Sequence, residues 1–251
     1  MAVSDEKKIK PQKGIVREYA EAIFVALFVA LFLRHFFVEA FKIPSASMVP
    51  TLLVGDHIFV NKFVYGTRIP FTTTKVRQGR VPNRGEIIVF MYPKEHSTDY
   101  IKRVVGLPGD KIEVKNDVVF VNDEEVKQQF TEKYLYSDVN QSCEDYPYEK
   151  INENLGGVQH AILNDEGRYP TNFGPVFVEK DHLFVMGDNR DNSSDSRVWG
   201  QVSFNLVKGR ALFIWLSLNS CGLGKGSMAS KTANFAMLKW IRMDRFLKVL
   251  R

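Results

Sequence analysis

The feature that most constrains this chain is an apolar run near its N-terminus, Ala22–Leu33, which contains no charged residue. A polar and basic stretch precedes this run, and Arg34 and His35 interrupt the apolar character before it resumes. The run is shorter than the roughly 20 residues that span a bilayer. Long charged side chains at its ends can reach the interface, however, so residues 20–41 are predicted to form a transmembrane anchor.

Two other interpretations of this segment stay open. A basic region before a dozen apolar residues is also typical of a cleaved secretory signal, and a helix buried in a core is a third alternative. Arg34 and His35 are a poor approach to a small-residue cleavage site, which favours the anchor. Since basic residues are more frequent before the segment, residues 1–19 are predicted to form a cytoplasmic tail and residues after Lys42 to lie across the membrane.

Composition excludes several classes of function. The net charge of +5 comes from Lys and Arg residues scattered along the chain, so no nucleic-acid partner is predicted. Cys143 and Cys221 match no zinc motif, and the five histidines form no metal-binding pattern. We therefore expect no metal and no cofactor. The sequence leaves open whether the two cysteines form a disulfide.

Beyond Lys42 the sequence predicts a mainly β fold, an antiparallel sheet domain with a smaller inserted β subdomain. Residues 42–122 and 179–251 are assigned to the larger domain and residues 123–178, which are polar and weakly periodic, to the insertion. Apolar and basic residues alternate over 235–249, which predicts a helix that either lies on a membrane or packs on the sheet. Short β-branched and aromatic runs predict strands at Asp56–Lys62, Glu86–Met91, Tyr100–Val105, Val176–Val178, His182–Met186 and Arg210–Leu216, and a hairpin is predicted over 111–121.

The segment Phe41–Leu52 places small hydroxyl residues between two prolines. This pattern predicts an exposed, stiffened backbone, which is either a membrane-proximal linker or a segment that presents Ser47 as a nucleophile close to the bilayer. A serine needs a base to take its proton, and the G-x-S-x-G motif of many serine hydrolases is absent. A lysine can replace histidine when burial lowers its pKa. Lys102 suits this role because it lies in the apolar strand Tyr100–Val105, although a surface position is the alternative.

A loop dense in Asp, Asn and Ser follows the predicted strand that ends at Met186. Calcium binding is one explanation for Gly187–Gly200, but the loop lacks the EF-hand pattern. Its two arginines among the acids instead predict internal ion pairs and a rigid loop.

Five segments together resemble, in order, the conserved boxes of type I signal peptidases. They are Ser45–Leu52, Gly55–Asp56 with Val60–Gly66, Arg84–Gly85 with Val89–Phe90, Tyr100–Asp110 and Gly187–Gly200. The resemblance implies a membrane-bound serine endopeptidase that cleaves N-terminal signal peptides from secreted preproteins after small residues (Ala-x-Ala). It implies a bacterial inner-membrane protein with its catalytic domain on the periplasmic side, whose partners are preproteins and the lipid bilayer. Some family members carry two membrane segments, whereas this chain shows one, and its insertion is short.

The resemblance also implies a role for particular residues. Ser47 would be the nucleophile, Lys102 the general base, and Ser45 an oxyanion donor together with the Ser47 backbone N–H. Ser193 would hydrogen-bond the Lys102 amine and orient it. The loop scaffold would consist of Asp188, Arg190, Asp195 and Arg197, with Arg103 as the partner of Asp188. The apolar substrate pockets would be lined by Phe41, Ile43, Pro44, Leu52, Tyr100 and Ile101.

Two rival functions follow from the same residues. A self-cleaving serine–lysine protease of the repressor type shares the dyad and the β core, but it carries a DNA-binding head where this chain has an apolar segment. A membrane-anchored binding protein with an inactive dyad is the second rival, although nothing departs from the family at Ser47 or Lys102.

Overall fold

A computed structural model describes residues 14–36, 38–68, 75–137, 143–219, 221 and 240–250. These residues form a mainly β protein that follows one N-terminal helix, α1 (Ile15–Phe36), and contains one short helical turn, α2 (Ser196–Trp199). The strands are β1 (Val38–Lys42), β2 (Asp56–Asn61), β3 (Gly66–Arg68), β4 (Lys75–Gln78), β5 (Ile87–Tyr92), β6 (Glu95–Gly106), β7 (Lys111–Lys115), β8 (Val118–Val121), β9 (Glu124–Glu125), β10 (Gln128–Ser137), β11 (Asp145–Leu155), β12 (Val158–Asp165), β13 (Phe173–Phe177), β14 (His182–Met186), β15 (Val202–Ser203) and β16 (Val207–Ser217).

The N-terminal helix differs from the predicted anchor in its bounds. It begins before residue 20 and ends at Phe36, and from Val38 the chain pairs with β2 in antiparallel register. Within the predicted 20–41 segment, residues 20–36 are helical and Val38–Phe41 belong to a strand. Large apolar side chains such as Phe24 and Phe28 are exposed on it. Among the described residues, no helix has the length and apolar character that crossing a membrane requires.

The largest sheet has seven strands in the order β1-β2-β16-β5-β6-β14-β15. Both faces of its centre are covered, because alternate residues of β5 enter different cores. Ile87 and Val89 pack with Met48 and Leu52, whereas Ile88 packs with the aromatic cluster around Trp199. The segment that carries Ser47 is thus packed on one face of this sheet.

The strands that the sequence predicted are confirmed. The strand predicted at 100–105 is longer, because β6 begins at Glu95 and pairs with β5 as a hairpin. The hairpin over 111–121 turns at Asn116 and Asp117, which both have positive φ, as a two-residue turn requires.

The predicted insertion contributes to two sheets. Strands β10, β11 and β12 form a sheet of their own, which packs on the Ser47 segment through Tyr136, Tyr148 and Leu163. The flanking strands β9 and β13 instead join β7 and β8 in a four-stranded sheet. Strands from inside and outside the predicted insertion 123–178 therefore share one sheet.

Cys143 and Cys221 form a disulfide that the sequence left undecided. Their Cα atoms lie 5.5 Å apart, and 78 positions separate them along the chain. The bond joins the end of the β10–β12 sheet to the segment after β16. It therefore ties the predicted insertion covalently to the main sheet.

The C-terminal tail packs on the sheet and is not an α-helix where it is described. Residues 222–239, which include part of the predicted helix, lie outside the described residues. From Trp240 onward the chain forms β-bridges to β16 at Leu218 and Phe213, with a 3₁₀ turn at Met243–Arg245. The helix prediction is wrong there, because these backbone groups hydrogen-bond to β16 and Arg245 inserts to pair with the buried Asp56.

Candidate active site

The Ser47 segment is a tight, buried turn between β1 and β2. Ala46, Met48 and Val49 are buried, and Ser47 itself is 8% exposed. Since these side chains pack into the core, the alternative of an exposed linker is excluded. The turn thus fixes the Ser47 backbone.

The Lys102 amine lies directly against the Ser47 hydroxyl. Its Nζ atom donates a hydrogen bond of 2.6 Å to Ser47 Oγ, and Lys102 is 4% exposed. Burial lowers the pKa of Lys102 to about 8, although the negative charges of Asp195 and Asp188 oppose that change. The alternative of a surface lysine is therefore excluded, and a substantial fraction of the amine is neutral near physiological pH.

The structure also brings Ser45 to the nucleophile. Its Oγ atom lies 3.4 Å from Ser47 Oγ, on the exposed side of the turn. A hydroxyl at this distance can donate to an oxygen that forms beside Ser47.

Ser193 is close to the dyad but does not make the predicted contact with Lys102. Its Oγ atom is buried and makes no hydrogen bond to Lys102 Nζ. Burial opposes ionisation of the neighbouring Asp195, whereas Arg197 and, to a smaller degree, Ser193 keep the pKa of this carboxyl below its usual range. The hydroxyl packs against Gly187, where a Cβ atom would lie 2.2 Å from Ser193 Oγ and 2.4 Å from the Ser47 carbonyl oxygen. Only glycine allows the loop to approach the nucleophile this closely.

Arg103 and Asp188 form a fully buried, bidentate ion pair. Arg103 Nε and Nη2 donate to the two Asp188 oxygens at 2.8 and 2.7 Å, and Thr51 Oγ1 donates to Asp188 at 2.5 Å. Burial opposes ionisation of Asp188, but the charge of Arg103 keeps the pKa of this carboxyl below its usual range. The pair joins strand β6 to the loop after β14.

The two arginines of the loop form ion pairs in different places, one inside the loop and one outside it. Arg197 pairs with Asp195 within the loop, and its Nη2 atom also donates to the Arg190 carbonyl oxygen at 2.6 Å. Arg190 instead extends out of the loop to Glu153 on β11. Asp195 further accepts a hydrogen bond from the Gly187 N–H at 3.0 Å.

The predicted pocket residues do not form one surface. Ile43, Leu52 and Ile101 are buried in one core, and Phe41 packs against it half-buried. Tyr100 lies in the neighbouring aromatic cluster, stacked on Tyr92 with ring centroids 4.5 Å apart. Pro44 is exposed beside the Ser47 turn.

Sequence reasoning missed the contribution of the inserted strands. Glu153, which holds Arg190, and His160, whose Nε2 atom lies 3.2 Å from Glu153 Oε2, were not singled out. Their segment has weak periodicity, and no motif links them to the loop. Among the described residues, no group of His, Cys, Asp and Glu side chains is arranged to hold a metal ion.

Comparisons with known proteins identify the family of this chain. The family model of signal peptidases, peptidase S26, matches residues 16–216. A signal peptidase I from Pseudomonas fluorescens is 43% identical over 218 residues, which cover 82% of this chain and 74% of that protein. One from Pseudomonas aeruginosa is 42% identical with the same coverage.

A solved structure gives a weaker likeness. The crystal structure of a signal peptidase I from Enterococcus faecalis V583 matches 52% of this chain and 97% of that chain, at 26% identity and a TM-score of 0.32. A TM-score this low adds nothing to the assignment. The family match and the Pseudomonas relatives are sufficient by themselves: the chain belongs to the signal peptidase family, peptidase S26, and is a serine peptidase.

Proposed function

We propose that this peptidase removes signal peptides from preproteins with Ser47 as the nucleophile and Lys102 as the general base. The observation that carries the proposal is the hydrogen bond of 2.6 Å between Lys102 Nζ and Ser47 Oγ in a buried setting. The neutral amine takes the Ser47 proton as the hydroxyl oxygen attacks the carbonyl carbon of the scissile bond.

The same residues carry out the later steps of the reaction. Attack gives a tetrahedral oxyanion, which Ser45 Oγ and the Ser47 N–H stabilise. The Lys102 ammonium returns its proton to the leaving amine as the peptide bond breaks, which frees the mature protein. Water, deprotonated by the same amine, then hydrolyses the ester and releases the signal peptide.

Ser193 is proposed to orient the Lys102 amine through a hydrogen bond made during the reaction. Its support is that the hydroxyl is buried and lies against Gly187, next to the Ser47 carbonyl oxygen. Asp188, Arg190, Asp195 and Arg197, with Arg103, would then keep this loop rigid.

The peptidase is proposed to prefer substrates with small residues before the scissile bond. The Ser47 turn is flanked by apolar side chains, of which Phe41 is half-buried and Pro44 is exposed. Ile43, Leu52 and Ile101 lie buried beneath them, so any pocket there is shallow and apolar. Such a surface admits the methyl groups of an Ala-x-Ala sequence and excludes bulky side chains. Tyr100 lies in the neighbouring cluster and is proposed to contact substrate because its ring centroid is 5.6 Å from Lys102 Nζ.

Attachment to the bacterial inner membrane is proposed through α1, as a single pass with the N-terminus in the cytoplasm. Its support is the exposure of Ile23, Phe24, Leu27 and Phe28, each more than half exposed on the helix. The disulfide is consistent with a catalytic domain on the periplasmic side, because disulfides persist in oxidising compartments. Resistance of the full chain to alkaline extraction from membranes tests the pass, and release by alkali would contradict it.

Cleavage of a model preprotein in detergent tests the activity. We expect the wild type to cut after Ala-x-Ala, and we expect Ser47→Ala and Lys102→Ala to leave the preprotein intact. Ser97→Ala and Lys94→Ala, both exposed on the β5–β6 hairpin, are matched controls that should cut normally. A folded wild type that does not cut would favour a binding protein. Cleavage of its own chain alone would instead favour the repressor-type protease.

A further inference from the structure

A buried ion pair joins Glu153 of the inserted sheet to Arg190 of the loop, and Glu153 has no role in the function proposed above. Glu153 on β11 accepts from Arg190 Nη1 at 2.9 Å and from Arg190 Nη2, and both residues are at least 96% buried. Gln128 Nε2 donates to the same carboxylate at 3.0 Å, and His160 Nε2 lies 3.2 Å from it. Burial opposes ionisation of Glu153, yet the charge of Arg190 holds the pKa of this carboxyl well below its usual range.

Arg190 belongs to the loop that reaches the nucleophile, and Leu163 of the inserted sheet hydrogen-bonds to this loop on both sides of Asn189. The Arg190 N–H donates to the Leu163 carbonyl oxygen at 2.9 Å, and the Leu163 N–H donates to the Asp188 carbonyl oxygen at 2.8 Å. Leu163 and Asn189 therefore form a parallel β-bridge between β12 and the loop. At Asn189 the loop therefore pairs with the inserted sheet as a short extra strand would.

The same loop residue that lies in the bridge holds the backbone of the Ser47 turn. The Asn189 N–H donates to the Ser47 carbonyl oxygen at 3.1 Å, and Asn189 Nδ2 donates to the Ala46 carbonyl oxygen at 3.3 Å. A continuous chain of contacts thus runs from Glu153 through Arg190 and Asn189 to Ser47. Each of these residues is buried, so a lost contact leaves a polar group unpaired at a high cost in free energy.

From this chain of contacts we infer that Glu153 is a positioning residue for catalysis, which sets the backbone of Ser47 through Arg190 and Asn189. The inference rests on Ser47 being the nucleophile. It assigns the inserted sheet a part in the reaction, since β11 and β12 complete the support that β6 gives to the loop through Arg103. A nucleophile displaced by about 1 Å can lose on the order of a hundredfold in rate.

Kinetics of the full chain on a model preprotein test this inference. Glu153→Gln keeps the shape of the side chain and removes its charge, so we expect kcat to fall about tenfold to a hundredfold while KM changes little. The acid limb of the pH profile should stay in place, because Lys102 is not touched. Glu132→Gln is the matched control, since Glu132 pairs with Lys150 at the surface of the same sheet and should keep wild-type kcat.

A second pair of variants separates positioning from stability. Glu153→Leu with Arg190→Met leaves no unpaired buried charge, so we expect the midpoint of thermal unfolding to recover relative to Glu153→Gln. We expect kcat to remain low, because the apolar pair does not fix the loop. Arg190→Lys keeps both charges but not the bidentate geometry, and it should lose kcat in a chain that folds.

The results separate this inference from the proposed function. A double variant that regains kcat together with its thermal midpoint would show a purely structural pair, and wild-type kcat in Glu153→Gln or Arg190→Lys would overturn the inference directly. If the wild type and Glu132→Gln are themselves inactive, or Ser47→Ala is active, it is the proposed function that fails.

Discussion

Two neighbouring cations on strand β6 have opposite surroundings. Lys102 and Arg103 are both nearly inaccessible, at 4% and 1% exposed. Lys102 forms no ion pair with a carboxylate within the described part of the chain, and its amine contacts the Ser47 hydroxyl. Arg103 is held by both oxygens of Asp188 and also donates to the Gly85 carbonyl oxygen at 2.7 Å.

The difference shows how one strand supplies both a general base and a structural ion pair. A buried amine without a carboxylate in contact gives up its proton more easily, which is what a general base requires. A guanidinium stays charged in proteins, so a buried arginine must be paired to be tolerated. Adjacent strand residues point to opposite faces, so the two environments can differ this much over one residue.

The largest expected effect is the loss of activity when Lys102 is substituted. Lys102→Arg keeps the positive charge but cannot accept a proton, so we expect kcat/KM to fall by a factor of about 10³ or more, as it should in Ser47→Ala. Steady-state cleavage of a preprotein by folded protein measures this. Activity retained in Lys102→Arg would abolish the distinction between the two cations, because a guanidinium would then support the reaction.

Substitution of Arg103 should mainly lower the stability of the fold. Arg103→Met leaves the Asp188 carboxylate buried without its partner, so we expect the free energy of unfolding to fall by about 3–5 kcal/mol. Urea unfolding measures the change. The double variant Arg103→Met with Asp188→Leu should recover most of it, and a single variant as stable as the wild type would contradict the role of the pair.

A variant of Ser45 compares the loss of an oxyanion donor with the loss of the base or the nucleophile. Ser45→Ala removes one oxyanion donor while leaving the base and nucleophile, so we expect kcat to fall by about 10²–10³. The loss should be less complete than in Ser47→Ala or Lys102→Arg under the same conditions. Equal and total loss in all three folded variants would argue against this assignment of Ser45.

The smallest expected effect is a change in pH dependence. Because the neutral amine is the active form, we expect kcat/KM to rise with pH up to an apparent pKa of about 8. The negative charge of Asp195 favours the protonated amine, so Asp195→Asn should move this acid limb to lower pH. A limb that stays in place or moves to higher pH would mean that Asp195 does not act on Lys102.

The sequence was informative where one strand or one turn determines the outcome. The alternation over Tyr100–Val105 predicted the strand, and the resemblance to signal peptidases paired Lys102 with Ser47 and Arg103 with Asp188, which the structure brings together. It failed where no motif marks the partner, because the missed Glu153–Arg190 pair is closer along the chain than the Arg103–Asp188 pair that the resemblance implied. Nothing near Glu153 indicates Arg190, and the tail was predicted helical because its bridges to β16 depend on tertiary contacts.

The disulfide between Cys143 and Cys221 determines what a break in the chain would do. Any single peptide bond cut between these residues leaves two fragments that are still covalently joined. Strands β11 to β16, including Glu153 and the Asp188 loop, lie within that interval. A nicked molecule would therefore migrate as an intact chain on a gel until a reductant is added, and its two parts could not diffuse apart.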